Sequence, residues 1–440
     1  MKILFILDFI PYPLNSGGNQ AVYNMIDAVR RRHDVSICCY LDSKGAVEGC
    51  KKLQRIWTDV KFYTEISSAL HPAQETALMI DDVPNTFACR CFKYLRDSMA
   101  RKIARRRHKM MMKVDQKVDF VRENSILNFR GSSFSPKYHQ LVWDVSRSGF
   151  DLIQTEFFSS LFLVHLLPEN VKKVYVQHEI NYIRRENELS LFEERTPTDY
   201  LALQDAKYRE VAALSRYNYV IALTEVDKQI MLRDAPGLNI YVSPAVVSLG
   251  DKVVPTGRTS IRRTELAFVG SGSHFPNADG ILWFAKEVMP VLKRKGYDLK
   301  VNVLGKWGKQ IQALLKGTDS NIVFTGYIED ISGFLNDRIS IVPIRIGSGM
   351  RMKILDSIVA GSPIVTTEKG CEGLPFVHNE DYMIADSPEK FADAIIELLN
   401  NPDKQRILAE NVQGKLDKQF DFEAMKSLRL SFYDKLSQDE

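Results

Sequence analysis

The feature that most constrains this chain is an alternation of β-strand and α-helix patterns that runs along it twice. Apolar runs at 2–9 and 34–40 predict strands, and the segment between them repeats its apolar residues at helical spacing. The same alternation continues to about residue 240 and starts again at 264. Strands separated by helices form parallel sheets covered on both faces. The sequence therefore predicts an α/β protein with two doubly wound domains.

The length supports this division, because 440 residues exceed what one ordinary core accommodates. The stretch 243–262 combines Gly, Pro and Ser and is the predicted linker. We expect an N-terminal domain over 1–250, a C-terminal domain over 251–420, and a final helix over 421–440 that packs back on the first domain. Residues 83–136 do not follow the alternation and are read as a basic helical insertion.

The composition excludes several classes of protein. With 45% hydrophobic and 26% charged residues, the chain is typical of a globular protein rather than a disordered or collagen-like one. No apolar run reaches the roughly 18–20 residues of a membrane span, and the apolar N-terminus is broken by Asp8, so we read it as a strand and not as a signal peptide. The six cysteines lack the spacing of a zinc site, which favours reduced thiols and a cytoplasmic location.

One segment carries a concentrated positive charge. Residues 90–113 contain ten Lys and Arg against a single Asp97, with an apolar stripe at helical spacing. A solvated helix packed on the first domain explains this pattern, and so does a peripheral contact with anionic lipid at the inner face of a membrane or with a charged acceptor. Nucleic acid is not expected, because neither interleaved aromatic residues nor a base-reading motif accompanies the charges.

The strongest chemical signal is the run "IGSGMRMKILDSIVAG" at 346–361, which reads as a loop followed by a helix that begins at Met350. Gly347 and Gly349 allow the backbone to approach a ligand where the helix begins, and the unpaired N–H groups of a helix start bind anions such as a diphosphate. Helical spacing places Gly349, Lys353, Asp356 and Ser357 on one side of this helix, and Met352, Leu355, Ile358 and Val359 on the opposite side. Lys353 would pair with phosphate oxygens and Asp356 with adjacent hydroxyls such as those of ribose.

The patterns "FVGSGSHFPNADGILWF", "IVFTGYIED" and "VPIRIGSGMRMKILDSIVAGSPIVTTEKGCEGL" resemble the family 4 retaining glycosyltransferases of GT-B architecture, particularly those of surface-polysaccharide synthesis. The N-terminal "ILFILDFIPYPLNSGGNQAVYNMIDAV" and "YVQHEI" are similar to that family too, whereas 41–140 match least. The resemblance implies two Rossmann-like domains facing across a cleft. It also implies a hexosyltransferase that moves a sugar from a UDP- or GDP-sugar to a glycan, lipid-linked or other hydroxyl acceptor.

The resemblance assigns roles to individual residues. The catalytic candidates are His178, expected to contact the transferred sugar, with Arg351 and Lys353 near the donor diphosphate. Gly17 and Gly18 match the loop that faces the acceptor, although a flexible turn explains the same pair. Asp356 stands at the ribose-binding position, and Tyr327 and Ile328 beside the base. The donor-binding candidates are Gly270, Lys306, Tyr327, Ile328, Ser348, Gly349, Met350, Asp356 and Glu372.

Three departures from the family pattern bear on activity. Ser348 replaces the first glutamate of the E-x7-E motif, Asp356 shortens the second, and Asn277 and Asp279 stand where a lysine is often found. Arg351, Lys353 and Lys306 would then neutralise the phosphates. No Asp-x-Asp motif accompanies the site, so we expect transfer without a metal or cofactor. A catalytically inactive GT-B scaffold or regulatory subunit remains the alternative, as does a phosphorylase or epimerase that uses the same cleft.

Overall fold

The structure, a computed structural model, describes residues 1–14, 17–67, 134–247, 262 and 264–438. The basic segment 90–113 lies outside these residues, as do most of the predicted insertion and most of the predicted linker. Whether 90–113 forms an amphipathic helix therefore stays a prediction.

Two parallel sheets organise the described residues. Seven strands form the first sheet in the order β3-β2-β1-β4-β5-β6-β7, and six form the second in the order β10-β9-β8-β11-β12-β13. Every neighbouring pair runs parallel, so each strand returns to its sheet through a crossover. The strands are β1 Lys2–Leu7, β2 Asp34–Leu41, β3 Lys61–Ile66, β4 Leu152–Glu156, β5 Lys172–Gln177, β6 Tyr219–Ala222, β7 Ile240–Val242, β8 Glu265–Val269, β9 Lys300–Leu304, β10 Ile322–Gly326, β11 Ile339–Val342, β12 Ile364–Thr366 and β13 Met383–Ile384.

Both sheets reverse their strand order once, between β1 and β4 in the first sheet and between β8 and β11 in the second. In open α/β sheets, ligands bind beyond the carboxyl ends of the strands at such a reversal. The register pairs Ile3 with Leu152 and Leu152 with Lys172, which brings the carboxyl ends of β1, β4 and β5 to one edge. The predicted doubly wound architecture is confirmed, and it defines where a ligand site is expected.

The helices cover the two sheets. Apolar spacing predicted α1 correctly, since Val22, Met25, Ile26 and Val29 are all buried. The apolar spacing of 278–296 predicts one long helix. The structure instead has a π-helical turn at Phe284–Val288, just before Pro290, which cannot donate a backbone hydrogen bond. The helices are α1 Gly17–Val29, α2 Lys44–Ile56, α3 Pro136–Ser146, α4 Phe157–Leu161, α5 Asn181–Ser190, α6 Pro197–Leu214, α7 Glu225–Asp234, α8 Phe275–Trp283, α9 Met289–Arg294, α10 Lys309–Thr318, α11 Ile331–Leu335, α12 Met352–Val359, α13 Glu368–Cys371, α14 Pro388–Asn400, α15 Pro402–Gln419 and α16 Phe422–Gln438.

The last helix, α16, follows the helices of the second sheet but packs on the first. Tyr241 of β7 donates its hydroxyl to the Leu428 carbonyl at 3.0 Å, and Lys172 of β5 donates to the Leu436 carbonyl at 3.1 Å. Its buried face includes Leu430 and Phe432. The crossing helix therefore joins the two halves of the chain through apolar burial and polar contacts together.

The part of the chain that the structure describes contains no helix with the length and apolarity needed to cross a membrane. The four cysteines within it, Cys38, Cys39, Cys50 and Cys371, are buried free thiols.

Candidate active site between the two sheets

The candidate site of the first domain lies at the carboxyl ends of β4 and β5. His178 follows β5, and its Nε2 is 2.7 Å from the Oε2 of Glu156, the last residue of β4. Glu156 is 1% exposed, and its other oxygen accepts a hydrogen bond from the Gln154 amide at 2.7 Å. A buried carboxylate that holds one ring nitrogen of a histidine sets its orientation and its tautomer. His178 thus belongs to an oriented pair, of which the sequence predicted only the histidine.

The His178 ring is also held by stacking. It lies parallel to the Phe157 ring, with centroids 3.8 Å apart and an angle of 4° between the planes. Phe157 has a φ of +64°, a left-handed conformation that is costly for a residue with a side chain. Such strain concentrates at functional sites. A Cβ on Gly18 would sit in ordinary contact with the Phe157 ring, so the predicted glycine loop borders this stack.

A second carboxylate, Asp8, follows β1 at the same edge. Its Oδ2 accepts the hydroxyl of Ser159, and its Oδ1 is buried without a partner among the described residues. Burial raises the pKa of Asp8 despite the hydrogen bond from Ser159. Asp8, Glu156 and His178 therefore form a cluster of titratable groups at the strand reversal, where ligands bind in this architecture.

The loop that follows β11 in the second domain reaches this cluster. Gly347 and Gly349 have φ angles of +112° and +79°, which glycine adopts without strain. A Cβ on Gly349 would overlap the carbonyl oxygen of His178. Glycine is therefore required there, because the loop and the strand end lie in direct backbone contact. The run 346–361, singled out from sequence, thus lies against the backbone of His178.

First-domain side chains occupy several polar groups of this loop. The Gly349 amide donates to the Asp227 carboxylate at 3.2 Å, and the Gly347 amide to the Asn187 side chain at 3.1 Å. Ser348 is buried, and its hydroxyl oxygen accepts the Ile180 amide at 2.6 Å. The amides of Gly347 and Gly349 thus face the first domain, and the Gly349 amide already binds a carboxylate, that of Asp227. Burial raises the pKa of Asp227, although the Thr224 hydroxyl and the Gly349 amide favour its charged form.

Helix α12 begins at Met352, two residues later than the sequence pattern predicted, with Arg351 at its N-cap. Arginine has no acceptor, and no side-chain hydrogen bond caps this helix. The Arg351 guanidinium is 7% exposed and donates to the carbonyls of Ser348 and Lys369, at 2.6 and 3.2 Å. Its Nη2 is buried without a hydrogen-bond partner among the described residues and lies 3.9 Å from the Glu372 carboxylate. A buried cation with an unused donor at an uncapped helix start suits an anionic ligand.

Lys353 is the second residue of α12, and its Nζ is 2.8 Å from the Asn277 side-chain oxygen. Asn277 is buried at the start of α8 in the second domain. Burial, with the positive charge of Arg351, lowers the pKa of Lys353 to about 7. A bound anion would reverse this effect, because an opposite charge favours the protonated amine.

Glu179 contributes a further carboxylate, immediately after His178. Burial alone would raise its pKa, but the nearby His274 imidazole, 3.9 Å away, and the charges of Arg184 and Arg351 lower it to about 2. Its Oε1 is buried without a partner among the described residues and lies beside Gly347. The interface between the domains is thus a network in which carboxylates of the first domain face cations of the second.

The remaining donor-site candidates surround α12. Gly270 directly follows β8, and a Cβ there would meet the Asn277 side chain. Met350 is half-buried, as is Asp356 on the same helix as Lys353. Glu372 accepts from Lys369 at 2.6 Å, and its other oxygen is 3.9 Å from Arg351. Leu355, Ile358 and Val359 are buried as predicted, but Ser357 is also buried and donates to the Lys353 carbonyl, so it does not share the polar side of the helix.

Three candidates lie further out. Tyr327 is 73% exposed and Ile328 is half-buried, both after β10, and Lys306 is exposed after β9. These strand ends belong to the second sheet on the side away from β11. Among the described residues, no three His, Cys, Asp or Glu side chains are grouped so as to hold a metal ion.

Sequence reasoning missed Glu156, Asp227 and Glu179. The position of Glu156 at a strand end was the one available signal, because strands that end at the same edge bring such residues together. The role of Asp227 depends on contact between the domains, which no local pattern encodes.

Comparison with known proteins agrees with this geometry. Residues 263–401 match the family model described as "Glycosyl transferases group 1". A protein of the cps region of Klebsiella pneumoniae is 25% identical over 169 residues, 37% of this chain and 44% of that protein. An uncharacterized glycosyltransferase of Methanocaldococcus jannaschii is 23% identical over 310 residues, 66% of this chain and 76% of that protein. The chain therefore spans less than half the length of the first of these relatives.

Solved structures are similar over the whole chain. Staphylococcus aureus TarM, in complex with fondaparinux, α-GlcNAc-glycerol and UDP, has a TM-score of 0.62 at 12% identity and covers 98% of this chain and 99% of its own. Anabaena HepE, in complex with UDP and glucose, has a TM-score of 0.59 at 13% identity and covers 100% of both chains. These likenesses confirm the predicted GT-B fold. The chain thus has the GT-B fold, and its residues 263–401 match the model of the glycosyl transferases group 1 family.

Proposed function

We propose that this protein is a glycosyltransferase that moves a sugar from a nucleotide-diphosphate sugar to a hydroxyl acceptor in the cleft between its two domains. One observation carries the proposal: the glycine loop at the start of α12, with Arg351 and Lys353, meets the oriented His178 in direct backbone contact. A donor held by the loop would then present its sugar to the histidine. The family match of the second domain supports this reading.

The second domain would stabilise the leaving group. As the bond from the anomeric carbon breaks, negative charge grows on the diphosphate oxygens, and fixed cations and amides aimed at that charge lower the barrier. Arg351 offers a buried, unused Nη2 donor, Lys353 a neighbouring amine, and α12 the positive end of its dipole. The diphosphate would displace the Asp227 carboxylate from the Gly349 amide or bind beside it at the following amides.

The first domain would orient the sugar and the acceptor. With Nε2 turned to Glu156, a neutral His178 offers Nδ1, which makes no hydrogen bond among the described residues, as an acceptor for a sugar hydroxyl. Gly17 and Gly18 open α1 beside Phe157, where an acceptor would approach the same sugar.

The second domain would bind the nucleotide of the donor. Asp356 would accept hydrogen bonds from ribose hydroxyls, and Tyr327 would lie beside the base. UDP-sugars are the first donors to test, because both TarM and HepE are known in complex with UDP. GDP-sugars come second. The acceptor class is a glycan or a lipid-linked hydroxyl, as the family resemblance implies.

We further propose transfer with retention of configuration and without a metal. The acceptor oxygen would bond to the anomeric carbon on the face that the diphosphate leaves, and the acceptor proton would pass to the departing phosphate oxygen. This step requires no protein nucleophile. Product analysis by NMR tests the configuration, and equal turnover with EDTA and with added Mg²⁺ tests the metal.

The direct experiment is nucleotide release from a panel of UDP- and GDP-sugars. We expect turnover with at least one donor and its loss in Lys353→Ala and His178→Ala. Lys295→Ala is the matched control, because Lys295 pairs with Asp393 on the surface of the same domain, away from α12. Unimpaired turnover in Lys353→Ala would contradict the assignment of the phosphate site.

A second candidate function is a GT-B scaffold without turnover. The occupied amides of Gly347 and Gly349 and the buried Ser348 favour it, because they tie the loop to the first domain. Calorimetry separates the candidates: heat of UDP-sugar binding without nucleotide release supports a scaffold, whereas release at a rate that depends on Lys353 supports the enzyme.

Membrane association through 90–113 is also a proposal. Sedimentation with vesicles of phosphatidylglycerol and phosphatidylcholine tests it, since binding through basic residues falls as salt screens the charges. Equal binding to neutral vesicles would contradict it.

A further inference from the structure

A chain of buried hydrogen bonds runs from the C-terminal helix to the candidate site. The Tyr433 hydroxyl on α16 is 2.7 Å from Gln154 Oε1, Gln154 Nε2 is 2.7 Å from Glu156 Oε1, and Glu156 Oε2 is 2.7 Å from His178 Nε2. Tyr433 and Gln154 are completely buried and Glu156 is 1% exposed. Four side chains are thus linked, one from α16, two from β4 and one that follows β5, and the three before His178 are shielded from solvent.

The chemistry of the end groups sets the direction of every bond. A carboxylate only accepts, so Gln154 must turn its amide nitrogen towards Glu156 and its carbonyl oxygen towards Tyr433. The phenol must then donate to Gln154. Burial raises the pKa of Tyr433, which keeps the hydroxyl protonated for this purpose. At the other end, the acceptor Glu156 requires that His178 carry its proton on Nε2.

We propose that Tyr433 is a positioning residue: through Gln154 and Glu156, it holds His178 as the Nε2–H tautomer with Nδ1 free for a ligand. No direct contact between Tyr433 and a substrate is needed. Without the Tyr433 hydroxyl, the side-chain amide of Gln154 can rotate by half a turn, which would point its oxygen at Glu156. The carboxylate would then shift, and the preference for one tautomer would weaken.

Helix α16 is itself anchored to the first domain, which fixes the Tyr433 end of this hydrogen-bond series. Arg429, one turn before Tyr433, is 4% exposed, and its guanidinium donates to the Ser243 hydroxyl at 2.8 Å and the Ser243 carbonyl at 2.9 Å. Arg429, Glu156 and His178 line one small cavity, together with Met25 of α1. The crossing helix therefore borders the site from behind, and the state of His178 depends on that helix being docked.

The test is the imidazole spectrum of His178. In ¹⁵N-labelled full-length protein, ring nitrogen shifts at a pH where the imidazole is neutral report the tautomer directly, and His178→Ala assigns the signals. We expect one Nε2–H tautomer in the wild-type protein and a mixture of tautomers in Tyr433→Phe and in Gln154→Leu. With a donor that turns over, we expect kcat to fall about tenfold in Tyr433→Phe with little change in the donor KM, as for other outer partners that orient a histidine.

Tyr217→Phe is the matched control. Tyr217 is also a buried tyrosine; its hydroxyl accepts from Thr155, between Gln154 and Glu156 on β4, and donates to the Leu161 carbonyl. Its loss should lower the thermal stability much as Tyr433→Phe does, but leave the His178 spectrum and kcat unchanged. Thermal unfolding of all variants shows which of them fold.

A wild-type tautomer in both Tyr433→Phe and Gln154→Leu would overturn the proposal, and so would an equal spectral change in Tyr217→Phe. The effect on kcat rests on the proposed glycosyl transfer, but the spectrum does not. If no donor turns over while the tautomer still responds to Tyr433, the proposed function fails and the positioning role stands.

Discussion

Substitution of Gly349 by alanine tests the contact on which the candidate site depends. Two separate costs arise. The φ of +79° is unfavourable for any residue with a Cβ, by about 1–2 kcal/mol. In addition, the new Cβ would overlap the carbonyl oxygen of His178, a backbone atom that cannot move aside as a flexible side chain can.

The second cost sets the effect on turnover. A Cβ on Gly349 would lie 2.0 Å from the His178 carbonyl oxygen, whereas ordinary van der Waals contact begins at 3.4 Å. The loop and the end of β5 must therefore separate by more than about 1 Å, which moves Arg351 and Lys353 away from His178. A misplacement of this size costs on the order of 100-fold in rate. That factor corresponds to about 2.7 kcal/mol of transition-state stabilisation.

Gly296→Ala isolates the first cost. Gly296 follows α9 with a φ of +87°, and nothing lies within 4 Å of a Cβ placed there. Both variants should lose stability in thermal unfolding, but only Gly349→Ala should lose about two orders of magnitude in kcat/KM for the donor. If Gly349→Ala kept kcat/KM within about threefold of Gly296→Ala, the close approach of loop and strand would not be what forms the site.

Three further predictions concern charge. The pKa of Lys353 falls from 10.5 to about 7 on folding, so between these pH values the unfolded chain binds a proton that the folded protein lacks. The free energy of unfolding should therefore rise with pH from 7 to 10.5, and urea titrations of Lys353→Met should show a smaller rise. A bound diphosphate should raise the pKa of Lys353 again, so UDP binding at pH 8.5 should take up protons, seen by calorimetry in buffers of different ionisation enthalpy and lost in Lys353→Met. Asp227→Asn should bind UDP more tightly, by several-fold to about tenfold, because it removes a buried negative charge beside the phosphate site. The amide oxygen of the new side chain still accepts from Gly349. Weaker binding in a direct titration would contradict the proposed position of the diphosphate.

Much of the architecture was readable from the sequence. The strand and helix periods predicted two doubly wound domains, because a strand buried on both faces needs a continuous apolar run and a covering helix needs one apolar stripe. Both properties are local. The same locality placed His178 at a strand end and Gly349 at a helix start, where this architecture binds ligands.

What the tertiary structure alone decided is how these groups are held. Glu156 faces His178 because β4 and β5 are neighbours in the sheet, although 22 residues separate the pair along the chain. Tyr433 reaches Gln154 across 279 residues, and Asp227 meets Gly349 across 122. A hydrogen bond depends on distances of about 3 Å and on direction, and those are set by the packing of whole elements rather than by any short stretch of residues. The chain's own pattern thus determined the sheets and their ligand-binding edges, whereas the packed fold determined the protonation, the orientation and the partners of the groups at those edges.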